Sequence, residues 1–286
     1  MSSIHFTKFH GFENDYIVIE RSAIPADTDL SELAKAICHR HTGAGADGIA
    51  VIEKKDGVDA DYFCEIVNPD GSYAGFSGNG TRCAVAYIYK NGWNGNELRL
   101  ETRSGIKDFT LIENGGNGCY WFEAAIGKPL FSGSEVPIAT DEPTDTVIDL
   151  PVRLDDGVFL MSGVNVGNPV AVAFVGDFDF DWRKYGRELE VHPLFPEKAN
   201  IVFIRVIDRE NIEIRIWERA AGETAASGTC ASGSAVLSAL TGRTERTVSV
   251  ISPGGTTEIH WRDDDEILLT GRADLSYSGV WPLSAK

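Results

Sequence analysis

No stretch of 18 apolar residues occurs in the chain, so nothing in it reads as a membrane-spanning helix. The opening Met1-Ser2-Ser3-Ile4-His5 lacks the basic and apolar regions of a secretory signal, and a cytoplasmic protein is expected. Basic residues are scarce: 26 Lys and Arg stand against 43 Asp and Glu, a formal net charge of -17. Such an acidic surface disfavours nucleic acid and anionic membrane as partners, local basic patches aside. The five cysteines (Cys38, Cys64, Cys83, Cys119 and Cys230) are odd in number and show no metal-type spacing. They read as reduced packing residues rather than a disulfide framework. The six histidines form no ligand cluster either.

What is present suits a large globular protein. Hydrophobic residues make up 43% of 286, enough for a sizeable core in two domains or one large one. Strand-like runs and helical runs alternate. Ile4–Phe9 and Tyr16–Ile19 read as strands, and Asp29–Cys38 as a helix capped by Thr28 or Asp29. Strands follow at 48–52 and 62–67, then a helix from Gly80 to Lys90 and hairpin-like material through Phe109, Leu111 and Trp121. A Pro- and Asp-rich region from about 132 to 149 separates this from a second half. That half has strands near 170–174, 201–204 and 212–217, a helix after Ser227, and strands near 248–251 and 266–269. Each half therefore runs strands, a Gly-rich turn, a small-residue helix, then strands. The symmetry is weak and is not a tandem repeat.

The two Gly-rich turns carry the chemistry. Ser77-Gly78-Asn79-Gly80 and Ser227-Gly228-Thr229 each open a helix of small residues. Free amides at a helix start bind anions and favour the ionised form of an acidic group placed there. Two such starts can hold one carboxylate between two proton-transfer groups, the layout of a two-base racemase. Both of those positions are serine. Cys83 lies six residues past Ser77, about 240° round a helix, and Cys230 lies nearly a turn past Ser227. Both read as small core residues and not as replacement thiols.

Taken singly, the remaining motifs are ordinary. Gly-Asn-Gly is a turn, Asp70-Gly71 is a turn, and Glu218-Arg219 is a solvated pair at a strand end. Their order is not ordinary. His10-Gly11-Phe12-Glu13-Asn14-Asp15-Tyr16, Gly43–Gly48, Asn68–Ser72, Ser77–Cys83, Gly167-Asn168-Pro169, Ala199-Asn200-Ile201 and Glu218–Thr224 run in one sequence across almost the whole chain. In this the chain resembles the diaminopimelate epimerase family.

The resemblance implies an α/β (α+β) fold of two pseudo-symmetric domains, each a curled, mostly antiparallel sheet around a central helix. The domains expected are 1–122 with 274–286, and 123–273. It implies LL- and meso-diaminopimelate as the substrate pair, an amino acid substrate taken without metal or organic cofactor, and proton transfer at the α-carbon by two bases. By resemblance, Ser77 and Ser227 occupy the two proton-transfer positions. Gly78, Asn79, Gly228 and Thr229 present amides to the reacting carboxylate. Asn14 and Glu218 hold the reacting ammonium, and Asn68, Asn168, Asn200 and Arg219 bind the distal amino acid group, Arg219 through a two-pronged carboxylate contact. Whether the chain self-associates as a homodimer stays open.

Three departures accompany the resemblance. The family uses a thiol pair where this chain has Ser77 and Ser227, and a serine hydroxyl is a far weaker acid. Val170 stands where a family motif usually carries histidine, and Glu13 replaces a usual glycine. Impaired turnover is expected. The serines fit a Cys→Ser double replacement, a naturally divergent epimerase, or a catalytically silent amino-acid-binding relative, and Val170 speaks against a simple replacement. A racemase of another amino acid is the alternative within enzymes.

Overall fold

The computed structural model describes residues 3–57, 59–139 and 144–283. Residues 1–2, 140–143 and 284–286, which include both ends of the expected first domain and part of the Pro- and Asp-rich region, lie outside the described residues. The chain divides into two compact units, Met1–Ala124 with Gly271–Lys286, and Ala125–Thr270.

In the first unit β1 (Ser3–Gly11) and β2 (Asn14–Glu20) form a hairpin, followed by α1 (Leu30–Ile37), β3 (Gly48–Lys54), β4 (Tyr62–Val67) and the short β5 (Tyr73–Ala74). Then come α2 (Gly78–Lys90), β6 (Glu97–Thr102), β7 (Gly105–Gly116) and β8 (Cys119–Gly127). The second unit contains β9 (Val147–Leu154), β10 (Gly157–Asn165), β11 (Pro169–Phe174), α3 (Trp182–Glu190), β12 (Asn200–Val206) and β13 (Asn211–Glu218). It continues with β14 (Gly222–Thr224), α4 (Gly228–Leu240), β15 (Thr247–Ser252), β16 (Gly255–Trp261) and the start of β17 (Ile267–Pro282). The later residues of β17, from Asp274 on, pair antiparallel with β1.

The two units repeat one topology. In the first, β1 pairs antiparallel with β2, β2 parallel with β3, β3 antiparallel with β4, and β4 parallel with β6. In the second, β10, β11, β12, β13 and β15 repeat that antiparallel, parallel, antiparallel, parallel series. A parallel pair needs a long crossover connection. In each unit the two crossovers hold α1 then α2, or α3 then α4. The first unit's sheet also closes, because β17 pairs with both β1 and β8.

Each central helix is made to be enclosed. In α2, Cys83, Ala84, Val85, Ala86, Ile88 and Tyr89 are buried, and in α4 every residue from Cys230 to Ser238 is buried. A helix apolar all round belongs in a core. Its small side chains let the curled sheet approach closely. By contrast α1 is amphipathic, and Asp29 caps it by accepting the Ser31 and Glu32 amides.

Several elements were not legible beforehand. The polar α3, capped by Asp181, lies where no element is expected, as do most of β9, β10 and β16. The Pro151 in β9 and the many charges of α3 mask their periodicity. The first central helix starts two residues earlier than the Gly80 reading, because Ser77 caps α2 ahead of two helix-poor residues, whereas α4 starts directly after Ser227 as read.

Candidate functional site

The first unit places Ser77, Gly78, Asn79 and Asn14 around the start of α2. Ser77 is the N-cap, in extended backbone, and its Oγ accepts the Gly80 amide at 3.1 Å. The amides of Gly78 and Asn79 fall in the first turn, where a helix has no internal acceptor for them. The Ser77 hydroxyl also lies 3.0 Å from the Tyr16 hydroxyl.

Asn14 follows a two-residue hairpin loop, since Gly11 pairs with Asn14 across it. Phe12 and Glu13 both take positive φ, 55° and 67°, as the tight primed turn requires. Asn14 is then fixed from both ends. Its amide donates to Asp47 at 2.8 Å, and its Oδ1 accepts from Asn79 at 3.1 Å. Asn79 in turn accepts from the buried Arg82, whose Nε donates to the Arg272 carbonyl at 3.0 Å. Behind the turn, Asp15 is paired with Lys8 at 2.6 Å and with Arg40 at 2.9 Å. Burial alone would raise the Asp15 carboxyl, but those two cations outweigh it and hold it below its ordinary value. Asn68 sits at the end of β4, its amide donating to Ser72 Oγ at 2.9 Å.

The second unit places Ser227, Gly228, Thr229 and Glu218 about the start of α4, and joins Asn200 to Arg219 beside Glu218. Ser227 is again the N-cap in extended backbone, but its side chain caps no amide. Its hydroxyl lies 3.4 Å from Thr229 Oγ1 and stands beside Glu218, whose carboxyl it helps to lower. Thr224 donates to Glu218 Oε1 at 2.7 Å. Burial pushes the Glu218 carboxyl above its ordinary value, and the two hydroxyl donors only partly counter this. A carboxyl so placed favours its protonated form and is a candidate to exchange a proton with Ser227.

Asn200 acts as a bracket. It is 5% exposed, its Oδ1 accepts the Arg219 amide at 2.9 Å, and its Nδ2 donates to the Pro169 carbonyl at 3.1 Å. Glu190 adds a second brace by accepting the Ala220 amide at 3.0 Å, where Ala220 takes a φ of 63°. The Arg219 guanidinium donates to the Glu197 carbonyl at 3.2 Å and, among the described residues, enters no ion pair. It is a cation open to an external carboxylate. Asn168 is exposed on the turn before β11.

Sequence reading missed the supports: Tyr16, Asp47, Arg82, Thr224 and Glu190 are polar residues whose value lies in contacts distant along the chain. The reading of Cys83 and Cys230 as packing residues agrees with the structure. Both are fully buried; burial pushes the Cys83 thiol up to about 12 and the Cys230 thiol well above its ordinary value. All five cysteines are free. Among the described residues no cluster of His, Cys, Asp and Glu is arranged to hold a metal ion, and no helix is long and apolar enough to cross a membrane.

The comparisons with known proteins agree with one another. The family profile of diaminopimelate epimerase matches residues 6–129 and 162–276. A diaminopimelate epimerase of Caldanaerobacter subterraneus subsp. tengcongensis is 39% identical over 279 residues, covering 96% of this chain and 98% of that protein. One from Moorella thermoacetica is 38% identical over 284 residues, covering 98% and 100%. Among solved structures, a PhzF-family phenazine biosynthesis protein of Bacillus anthracis matches with a TM-score of 0.70 at 14% identity, covering 99% of this chain and 100% of that one. A probable proline racemase of Agrobacterium radiobacter, solved with bound carbonate, matches at 0.68 and 16% identity, covering 99% and 93%. These two likenesses speak for the fold alone.

Proposed function

The chain belongs to the diaminopimelate epimerase family, and we propose that it interconverts LL- and meso-diaminopimelate with Ser77 and Ser227 as its two proton-transfer positions. Its function is that of a cofactor-independent amino acid epimerase. Removing an α-proton without a carbonyl cofactor leaves a poorly stabilised carbanion. A base must take the proton while charge spreads onto the carboxylate, and an acid must return one from the other face.

The observation that carries the assignment is that both central helices begin at a serine N-cap followed by glycine. The amides of Gly78, Asn79, Gly228 and Thr229 bind the reacting carboxylate there. Glu218, its carboxyl raised by burial, is the acid–base partner of the Ser227 position, and the family resemblance assigns the ammonium to Asn14 and Glu218. Arg219 binds the distal carboxylate, helped by Asn68 and Asn168, while Asn200 acts by fixing Arg219 and the Pro169 turn. With hydroxyls in place of thiols, turnover is slow. The acidic charge supports a small-molecule partner and not nucleic acid, and five free cysteines support a reducing, cytosolic setting.

The test is calorimetric titration with LL- and meso-diaminopimelate beside lysine, followed by chiral separation of products. Binding of both diaminopimelates and not of lysine, which lacks the distal carboxylate, is expected. Equal affinity for lysine would refute the assigned substrate class.

A further inference from the structure

We propose that Tyr16 is a positioning residue for the proton step at Ser77, its phenol holding the serine hydroxyl and exchanging a proton with it. The inference rests on Ser77 being a proton-transfer position. Tyr16 lies on β2 and is 5% exposed, with its hydroxyl 3.0 Å from Ser77 Oγ; either oxygen can be the donor.

The surroundings are shaped for that contact. A Cβ at Gly48 would stand 2.7 Å from the Tyr16 ring, and one at Gly80 would stand 2.8 Å from it. Neither is a position of positive φ, so both glycines serve space. Gly80 also lowers the helix propensity of α2 relative to alanine. The chain thus keeps two glycines free of side chains where the ring passes.

The consequence is two donors aimed at one oxygen. With the phenol donating, Ser77 Oγ receives the Tyr16 hydroxyl and the Gly80 amide, at the positive end of α2. The serine's own proton is then left to point at a substrate. A phenol is also a much stronger acid than an aliphatic alcohol.

The step balances without another reactant. When Ser77 acts as base, the α-C–H bond breaks and the proton bonds to Ser77 Oγ. The former Ser77 proton passes to the phenolate oxygen of Tyr16, and the electron pair stays on the α-carbon and its carboxylate. In the reverse direction the phenol returns its proton to Ser77 Oγ as the serine proton goes to carbon.

Tyr16→Phe keeps the ring and removes one oxygen. Solvent-deuterium incorporation into both diaminopimelates is measured in the chain with Ser77 and Ser227 and in the Ser77→Cys, Ser227→Cys chain, each with and without Tyr16→Phe. In the serine chain the replacement is expected to lower the saturating rate at least tenfold, with KM within twofold. In the thiol chain it is expected to cost less than threefold. Equal losses in both backgrounds, or a loss carried by KM, would mean a packing role and overturn the proposal. A serine chain that exchanges nothing while the thiol chain exchanges would overturn it too. A thiol chain that binds substrate and exchanges nothing would instead overturn the reading of Ser77 on which the proposal rests.

Discussion

Val170 packs onto the backbone of Gly233: a Cβ added there would stand 3.0 Å from both the Cβ and Cγ1 of the valine. Val170 is fully buried between β10 and β12 and shares a core with Cys230. The position where the family resemblance leads one to expect histidine is, in this chain, a helix–sheet contact. Val170→His therefore overfills the core and buries a polar ring, at a cost of about 1–3 kcal/mol. Thermal melting checks this, and an unchanged Tm with faster exchange would show that the imidazole finds room.

The Phe12-Glu13 turn is strained. Both residues are non-glycine at positive φ, beside Asn14. Glu13→Gly is expected to raise stability by about 1 kcal/mol, because glycine takes that conformation without the Cβ clash. Denaturant midpoints measure it; a fall would mean that the Glu13 side chain contributes more than its backbone costs.

Arg219→Ala is expected to weaken diaminopimelate binding by about 2–5 kcal/mol, if the pair it forms is desolvated. Asn68→Ala should cost about 1 kcal/mol, the value of one hydrogen bond. Calorimetric titration separates them, and an unchanged affinity in Arg219→Ala removes that residue from the site.

Glu218 links stability to pH. Its carboxyl titrates above the ordinary range when folded. Folding therefore favours its protonated form, a contribution present below about pH 4, the ordinary glutamate value, and lost as pH rises through the folded one. Glu218→Gln keeps the shape and removes the charge. Its Tm relative to the parent should climb as pH rises from about 4, the ordinary glutamate value, through the folded one, and a constant difference would place the Glu218 carboxylate in a well-solvated setting.

Much of the fold is legible in the sequence because its local signals agree. Asp29 caps α1, Ser77 and Ser227 precede glycines, and the β-branched runs at 48–52 and 201–204 lie in β3 and β12. The candidate site is less legible. The family resemblance marks Asn200 as a ligand, yet its side-chain amide is spent on Arg219 and Pro169. Tyr16 reads as one more apolar strand residue, since the partner that makes its hydroxyl matter lies 61 positions away. Val170 reads as a lost histidine until Gly233 is seen beneath it. Such long-range pairings are set by the sheet and helix together, and no local pattern encodes them.

The central claim is that Ser77 and Ser227 hold the two proton-transfer positions. Solvent-deuterium incorporation at the α-carbon of LL- and meso-diaminopimelate tests it most directly, in the parent, both single Cys variants and the double. The parent should exchange slowly, each single variant only somewhat faster, and Ser77→Cys with Ser227→Cys faster by about a hundredfold or more, since thiols at helix starts are activated and the pair works as a unit. A parent that already turns over at ordinary enzyme rates, about 1–10³ per second, or a double variant that binds substrate and exchanges nothing, would contradict it.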